Sequence, residues 1–223
     1  MRHEILYSPA FACARVLLDP GQSIRCDGGA MVSMSTTITL ESKMEGGIGK
    51  ALGRMFSGET FFQSILTATH GAGEVLLAPS VFGDIIPIQL QGNGYLVTSG
   101  GYLASDTSLT AQTKGSWKAF GAGEGMFLTH LYGTGDLLVA SLGAVHGVEL
   151  GPGQTYVVDT GHVVAFHDQM DYNVRPVSQG LWKSIRSGEG FVCEFAGPGT
   201  VYLQTRSPQQ FAAWLAPILP GRS

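Results

Sequence analysis

Gly123-Glu124-Gly125-Met126-Phe127-Leu128, followed by Gly133-Thr134-Gly135-Asp136-Leu137-Leu138, is the stretch on which the fold turns. Aromatic and aliphatic residues flank a Gly-x-Gly step, and such residues favour strands. Glycine at the step supplies a backbone angle that β-branched residues resist. The pattern recurs on both sides. Gly58-Glu59-Thr60-Phe61-Phe62 precedes Gly71-Ala72-Gly73-Glu74-Val75-Leu76-Leu77, and Gly188-Glu189-Gly190-Phe191-Val192 precedes Gly197-Pro198-Gly199-Thr200-Val201-Tyr202-Leu203. The Gly-Glu pairs recur at intervals of 65 residues. Each copy reads as two strands joined by a Gly-x-Gly turn.

A second element precedes each copy. It reads Pro20-Gly21-Gln22-Ser23-Ile24-Arg25-Cys26-Asp27-Gly28-Gly29-Ala30-Met31-Val32, then Gly92-Asn93-Gly94-Tyr95-Leu96-Val97-Thr98-Ser99-Gly100-Gly101-Tyr102-Leu103-Ala104, then Pro152-Gly153-Gln154-Thr155-Tyr156-Val157-Val158-Asp159-Thr160-Gly161-His162-Val163-Val164-Ala165. Each is a turn, a strand, a glycine turn and a further strand, and Asn93-Gly94 is the strongest hairpin signal in the chain. These spacings predict a mainly β protein, a sandwich or barrel with pseudo-threefold packing. One β-rich unit spans 1–223, with three internal repeats at about 20–80, 90–140 and 150–205.

Two segments read as helix. Ser207-Pro208 opens a capped helix over 207–218, with Phe211, Trp214, Leu215 and Ile218 on one face. Residues 46–56 form a short amphipathic helix, with Ile48, Leu52, Met55 and Phe56 on one side and Lys50 and Arg54 on the other. Such a helix suits a membrane interface. Its four glycines make it weak in isolation, which favours packing on the sheet or on a neighbouring subunit.

Composition narrows the function classes. Only 13% of the 223 residues are charged, against about 25% in ordinary domains. A charge-poor surface is removed from water by burial between subunits, so a homo-oligomer is expected, a trimer for preference. Net charge of −4 gives no footprint for nucleic acid. Cys13, Cys26 and Cys193 are odd in number and widely spaced, which points to a reducing, cytoplasmic compartment and to buried thiols. No signal peptide or run of about 18 apolar residues is present.

Candidate chemistry is sparse. His162 and His167 lie five apart and do not make the His-x-His ligand pair of a β-helix metal site. His3, His70, His130 and His146 have no spaced partner. Glu59, Glu124 and Glu189 are repeated carboxylates that could hold a cation or serve as acid–base groups. The alternative, that each accepts backbone N–H bonds in its own unit, is favoured. No Gly-x-Ser-x-Gly elbow exists, and Gly47-Ile48-Gly49-Lys50-Ala51-Leu52-Gly53 fails the phosphate-loop pattern.

Taken together, Asp27-Gly28-Gly29-Ala30-Met31-Val32-Ser33-Met34, Gly46-Gly47, Arg54, Gly58-Glu59, Gly83-Asp84-Ile85-Ile86-Pro87, Leu103-Ala104, Gly123-Glu124-Gly125, Val157-Val158-Asp159 and 197–206 resemble the altered-inheritance-of-mitochondria family in its bacterial form. The resemblance runs from about residue 9 to 220. It implies a fold similar to the tryptophan-RNA-binding-attenuator superfamily, a variant of the double-stranded β-helix. Bacterial members have no established activity, and the mitochondrial members' link to inner-membrane organisation does not transfer to a chain without a transit peptide. Fold alone carries no function.

The expectation is a non-enzymatic scaffold without cofactor, a homo-oligomer that presents a surface to a protein partner or a membrane. The alternative is a small-ligand or metal-binding protein using the repeated carboxylates.

Overall fold

The computed structural model describes residues 1–43, 63–98, 100–117, 126–177 and 191–219. The protein is mainly β. The first third forms β1 (Arg2–Leu6), β2 (Cys13–Leu18), β3 (Ser23–Asp27), β4 (Met31–Met34), β5 (Ile38–Lys43), β6 (Gln63–Ala68) and β7 (Gly73–Leu77). The middle forms β8 (Ile85–Thr98), β9 (Tyr102–Asp106), β10 (Thr110–Trp117), β11 (Met126–Ala140) and β12 (Val145–Leu150). The last third forms β13 (Thr155–Asp159), β14 (Val163–His167), β15 (Asp171–Pro176), β16 (Phe191–Ala196), β17 (Gly199–Gln204) and the helix α1 (Pro208–Leu215).

Alternation explains the strands. In β2, Ala14, Val16 and Leu18 are buried while the residues between them are half-buried; β3 does the same with Ile24 and Cys26. That period of two puts one face of each strand on the core.

The strands form three sheets. One runs β1-β2-β7-β4, the largest runs β12-β17-β14-β8-β11-β9-β3-β6-β5 with β10 added beside β11, and the third runs β13-β16-β15. Every ladder between these strands is antiparallel. The buried side chains form three core clusters. The first is built on Val16, Ile24, Leu66 and Leu77, the second on Leu90, Val97, Leu131 and Leu137, the third on Phe166, Phe195 and Val201.

The glycine steps differ from the reading above. Asn93-Gly94 is not a hairpin turn but lies inside the 14-residue β8. Gly92, at φ 90°, provides the extra residue of a bulge there: β11 pairs Gly133 with Asn93, then jumps to pair Thr134 with Gln91. Gly133-Thr134-Gly135 likewise lies within the 15-residue β11 and joins no separate strands. Gly71-Ala72-Gly73 and Gly197-Pro198-Gly199 do separate strands, but β6 and β7, like β16 and β17, belong to different sheets. A bulge and a corner both need a backbone that bends sharply, so glycine serves either.

The C-terminal helix starts as expected: Ser207 Oγ accepts the Gln210 amide at 3.4 Å, and Pro208 stands in the first turn. The amphipathic segment 46–56, with Ile48, Lys50, Leu52, Arg54, Met55 and Phe56, lies outside the described residues, and so do Glu59, Glu124 and Glu189.

Candidate functional site

Two features stand out among the described residues: a polar cluster inside the central sheet and an aromatic surface at α1.

The polar cluster forms where β14, β8 and β11 run side by side. His130 lies opposite Leu96 and Tyr132 opposite Gly94 on the β11–β8 ladder; the Asp168 amide donates to Gly94 O at 3.0 Å. Gly94 carries no side chain, so the space above it is open. His130 Nε2 donates across that space to Asp168 Oδ2 at 2.8 Å. A Cβ on Gly94 would overlap Asp168 Oδ2 and stand 2.7 Å from His130 Nε2. Tyr132 stacks on His130 with ring centroids 4.8 Å apart, and Gln112 Nε2 donates to Tyr132 Oη at 3.0 Å. On the other side, His167 Nδ1 stands 3.7 Å from Asp168 Oδ1. Asn93 Oδ1 accepts the Gln91 amide at 2.9 Å, so its Nδ2 faces His167 Nε2, 3.2 Å away, as the donor.

Sequence spacing missed this cluster. His130 has no partner at a motif spacing in the sequence, yet Asp168 comes to it from 38 residues away. Only the ladder that puts β14 beside β8 brings them together. His162 is held elsewhere, with its Nδ1 2.8 Å from Gln204 O.

A carboxylate-held imidazole can act as a base when its second nitrogen faces a nucleophile. Among the described residues no serine, threonine or cysteine is hydrogen-bonded to His130, and no three His, Cys, Asp or Glu side chains are arranged to hold a metal. The cluster ties β14 to β11 across β8. The thiols fit the same picture. Burial, helped by the neighbouring Asp27, pushes Cys26 up to about 12, and burial pushes Cys193 to about 12, so neither supplies a thiolate at neutral pH.

The second feature is apolar and open to solvent. Phe82 meets Phe211 edge to face at 5.3 Å, and Phe211 lies 5.8 Å from Trp214. Trp214 is 63% exposed, Ile218 61% and Leu219 57%. α1 carries no charged residue and buries none of its side chains fully. The β1–β2 loop approaches the same place: the Ala12 amide donates to Gly83 O at 2.9 Å, and Ser8 Oγ donates to Asp84 Oδ1 at 2.7 Å. That loop exposes Tyr7 and Phe11. Scattered exposed apolar residues are ordinary, but Phe82, Phe211 and Trp214 touch one another in series.

Among the described residues the chain is an antiparallel β protein that leaves an aromatic group open at α1. Residues 3–206 match the family described as Mitochondrial biogenesis AIM24, and the chain belongs to that family. It is 34% identical to an uncharacterized protein of Streptococcus pyogenes serotype M6, over all of this chain and 93% of that one. It also superimposes on a crystal structure of a Streptococcus pyogenes protein, with a TM-score of 0.84, 32% identity, and coverage of 98% of this chain and 99% of the other. Among the described residues no helix is long and apolar enough to cross a membrane.

Proposed function

We propose that this protein is a non-catalytic β scaffold that self-associates, a trimer for preference, and offers its α1 surface to a protein partner. The observation that carries the reading is the uncovered aromatic group of Phe82, Phe211 and Trp214 beside Ile218 and Leu219. A protein partner is favoured over a membrane because α1 has no basic residue and the chain's net charge is −4. Free Cys13, Cys26 and Cys193 are in keeping with a reducing, cytoplasmic location.

The same reading takes the chain as three repeated units in a double-stranded β-helix-like arrangement. Support comes from the order of pairing. β3 joins β6 and β6 joins β5; β8 joins β11 and β11 joins β10; β13 joins β16 and β16 joins β15. β4–β7, β9–β11 and β14–β17 share one register shift, after Met31, Tyr102 and Val163. Local contacts recur as well: Gln22 and Gln154 side chains accept the amides of Asp19 and Gly151 at 2.8 and 2.7 Å.

The test is co-purification from native cells of the full chain and of the double variant Trp214→Ser, Ile218→Ser, with light scattering on each. The wild type is expected to be an oligomer that retains one protein partner, and the variant to lose that partner while keeping its fold. A monomer, identical retention by both proteins, or recovery of the wild type with lipid in place of protein sinks the proposal.

A further inference from the structure

Two ladders link the proposed units. β3 pairs with β9 through Ile24↔Asp106, Arg25↔Ser105 and Cys26↔Ala104. β8 pairs with β14 through Tyr95↔His167, Leu96↔Phe166 and Val97↔Ala165. Each joins the first strand of one unit's three-strand set to the strand after the glycine turn of the next unit. The series calls for a third ladder, β13 with β4. Among the described residues it is not made: β13 pairs with β16 alone and β4 with β7 alone.

The burial pattern follows the missing ladder. Tyr95 and Leu96 in β8 are 7% and 5% exposed, and Phe166 in β14 is 0% exposed. Their counterparts on the unpaired strands are open: Tyr156 is 40% exposed, Val157 48%, Met34 38%. An apolar edge with unmet backbone N–H and C=O groups is a template for another strand. No core cluster among the described residues combines side chains from the first unit with side chains from the third. The two edges are therefore the open ends of a series, and the fold itself supplies the complement to each.

We propose that β4 of one copy pairs with β13 of a second copy, antiparallel, in the register the internal ladders set: Tyr156 opposite Ser35, Val157 opposite Met34, Val158 opposite Ser33. The proposal rests on the self-associating reading and names its contact. The occupant is a second copy because the chain already makes this ladder twice with its own strands. Such a contact uses two different surfaces, so copies join head to tail and close into a ring or run on as a filament.

The test uses cysteine pairs in a Cys13→Ser background of the full chain. Met34→Cys protein mixed with Val157→Cys protein is expected to form a covalent dimer on oxidation. Val32→Cys mixed with Val157→Cys, two residues out of register, is expected to form at least about fivefold less, since two residues shift the pair by roughly 7 Å. Val157→Lys is expected to weaken self-association about tenfold or more, with the protomer's unfolding unchanged, because a lysine blunts an exposed edge. No linkage while light scattering still reports an oligomer overturns this pairing and leaves the self-association reading standing. Equal linkage out of register, or a linked monomer from the Met34→Cys, Val157→Cys double variant, overturns it as well. A monomeric wild type at micromolar concentration removes both readings.

Discussion

Single residues in this protein are decided by what lies directly across a strand. Asp27 faces Gln63 on the β3–β6 ladder, and its carboxyl is raised by burial to about 6, only partly countered by the Gly28 amide. Gln63 Nε2 is itself buried without a hydrogen-bond partner among the described residues. A carboxyl raised in the folded state binds its proton more tightly there than in the unfolded chain. Its contribution is then full below the ordinary value of 3.8, falls as pH rises from there to about 6, and stays flat beyond. Asp27→Asn keeps an acceptor for the Gly28 amide and removes the ionisation. The variant is expected to be more stable than wild type at pH 7 by on the order of 1–2 kcal/mol, with the difference vanishing near pH 3.5. Urea unfolding at a series of pH values measures it, and a difference constant across that range would refute the assignment.

Gly94 is fixed by a different cause, the side chains that pass over it. Gly94→Ala puts a methyl group into the space used by Asp168 Oδ2 and His130 Nε2. Overpacking of this kind costs about 1–3 kcal/mol. The cost is expected to shrink by at least about 0.5 kcal/mol in an Asp168→Ala background, where the clash is relieved. Equal costs in both backgrounds would show that the close approach is not why glycine stands there.

At the scale of elements, sequence reading succeeded where the signal is local. The Ser207-Pro208 cap and the 3.6-residue spacing of Phe211, Trp214 and Leu215 located α1, and the alternation in Cys13–Leu18 or Ser23–Asp27 is that of half-buried strands. It failed where a glycine's role depends on a distant strand. Asn93-Gly94 has the composition of a two-residue turn, but Gly133, forty residues on, sits opposite Asn93 and keeps β8 running through the bulge. The same limit hid the His130–Asp168 pair. Its two members share no spacing rule, and only the β8 strand between them makes them neighbours. Of the site the sequence proposed, the repeated carboxylates and the 46–56 helix fall outside the described residues. The aromatic surface was half legible: α1's apolar face could be read, but Phe82 reaches it only through the fold.

For the whole molecule, the separation of the three core clusters has a measurable consequence. Leu77 is fully buried in the first cluster, and Phe166 and Phe195 are fully buried in the third, with ring centroids 5.0 Å apart. Truncating a buried leucine or phenylalanine to alanine costs about 2–5 kcal/mol, through lost burial and the cavity left behind. Residues in different clusters share no lining, so Leu77→Ala and Phe195→Ala are expected to add to within about 0.5 kcal/mol. Phe166→Ala and Phe195→Ala open one common cavity. Once the first ring is gone the second has lost a packing partner, and the pair is expected to cost less than the sum of its members by about 1 kcal/mol. Denaturant unfolding of the wild type, the two single variants and the double variant in each cycle decides the matter. Strong coupling between Leu77 and Phe195 would mean that the clusters behave as one continuous core.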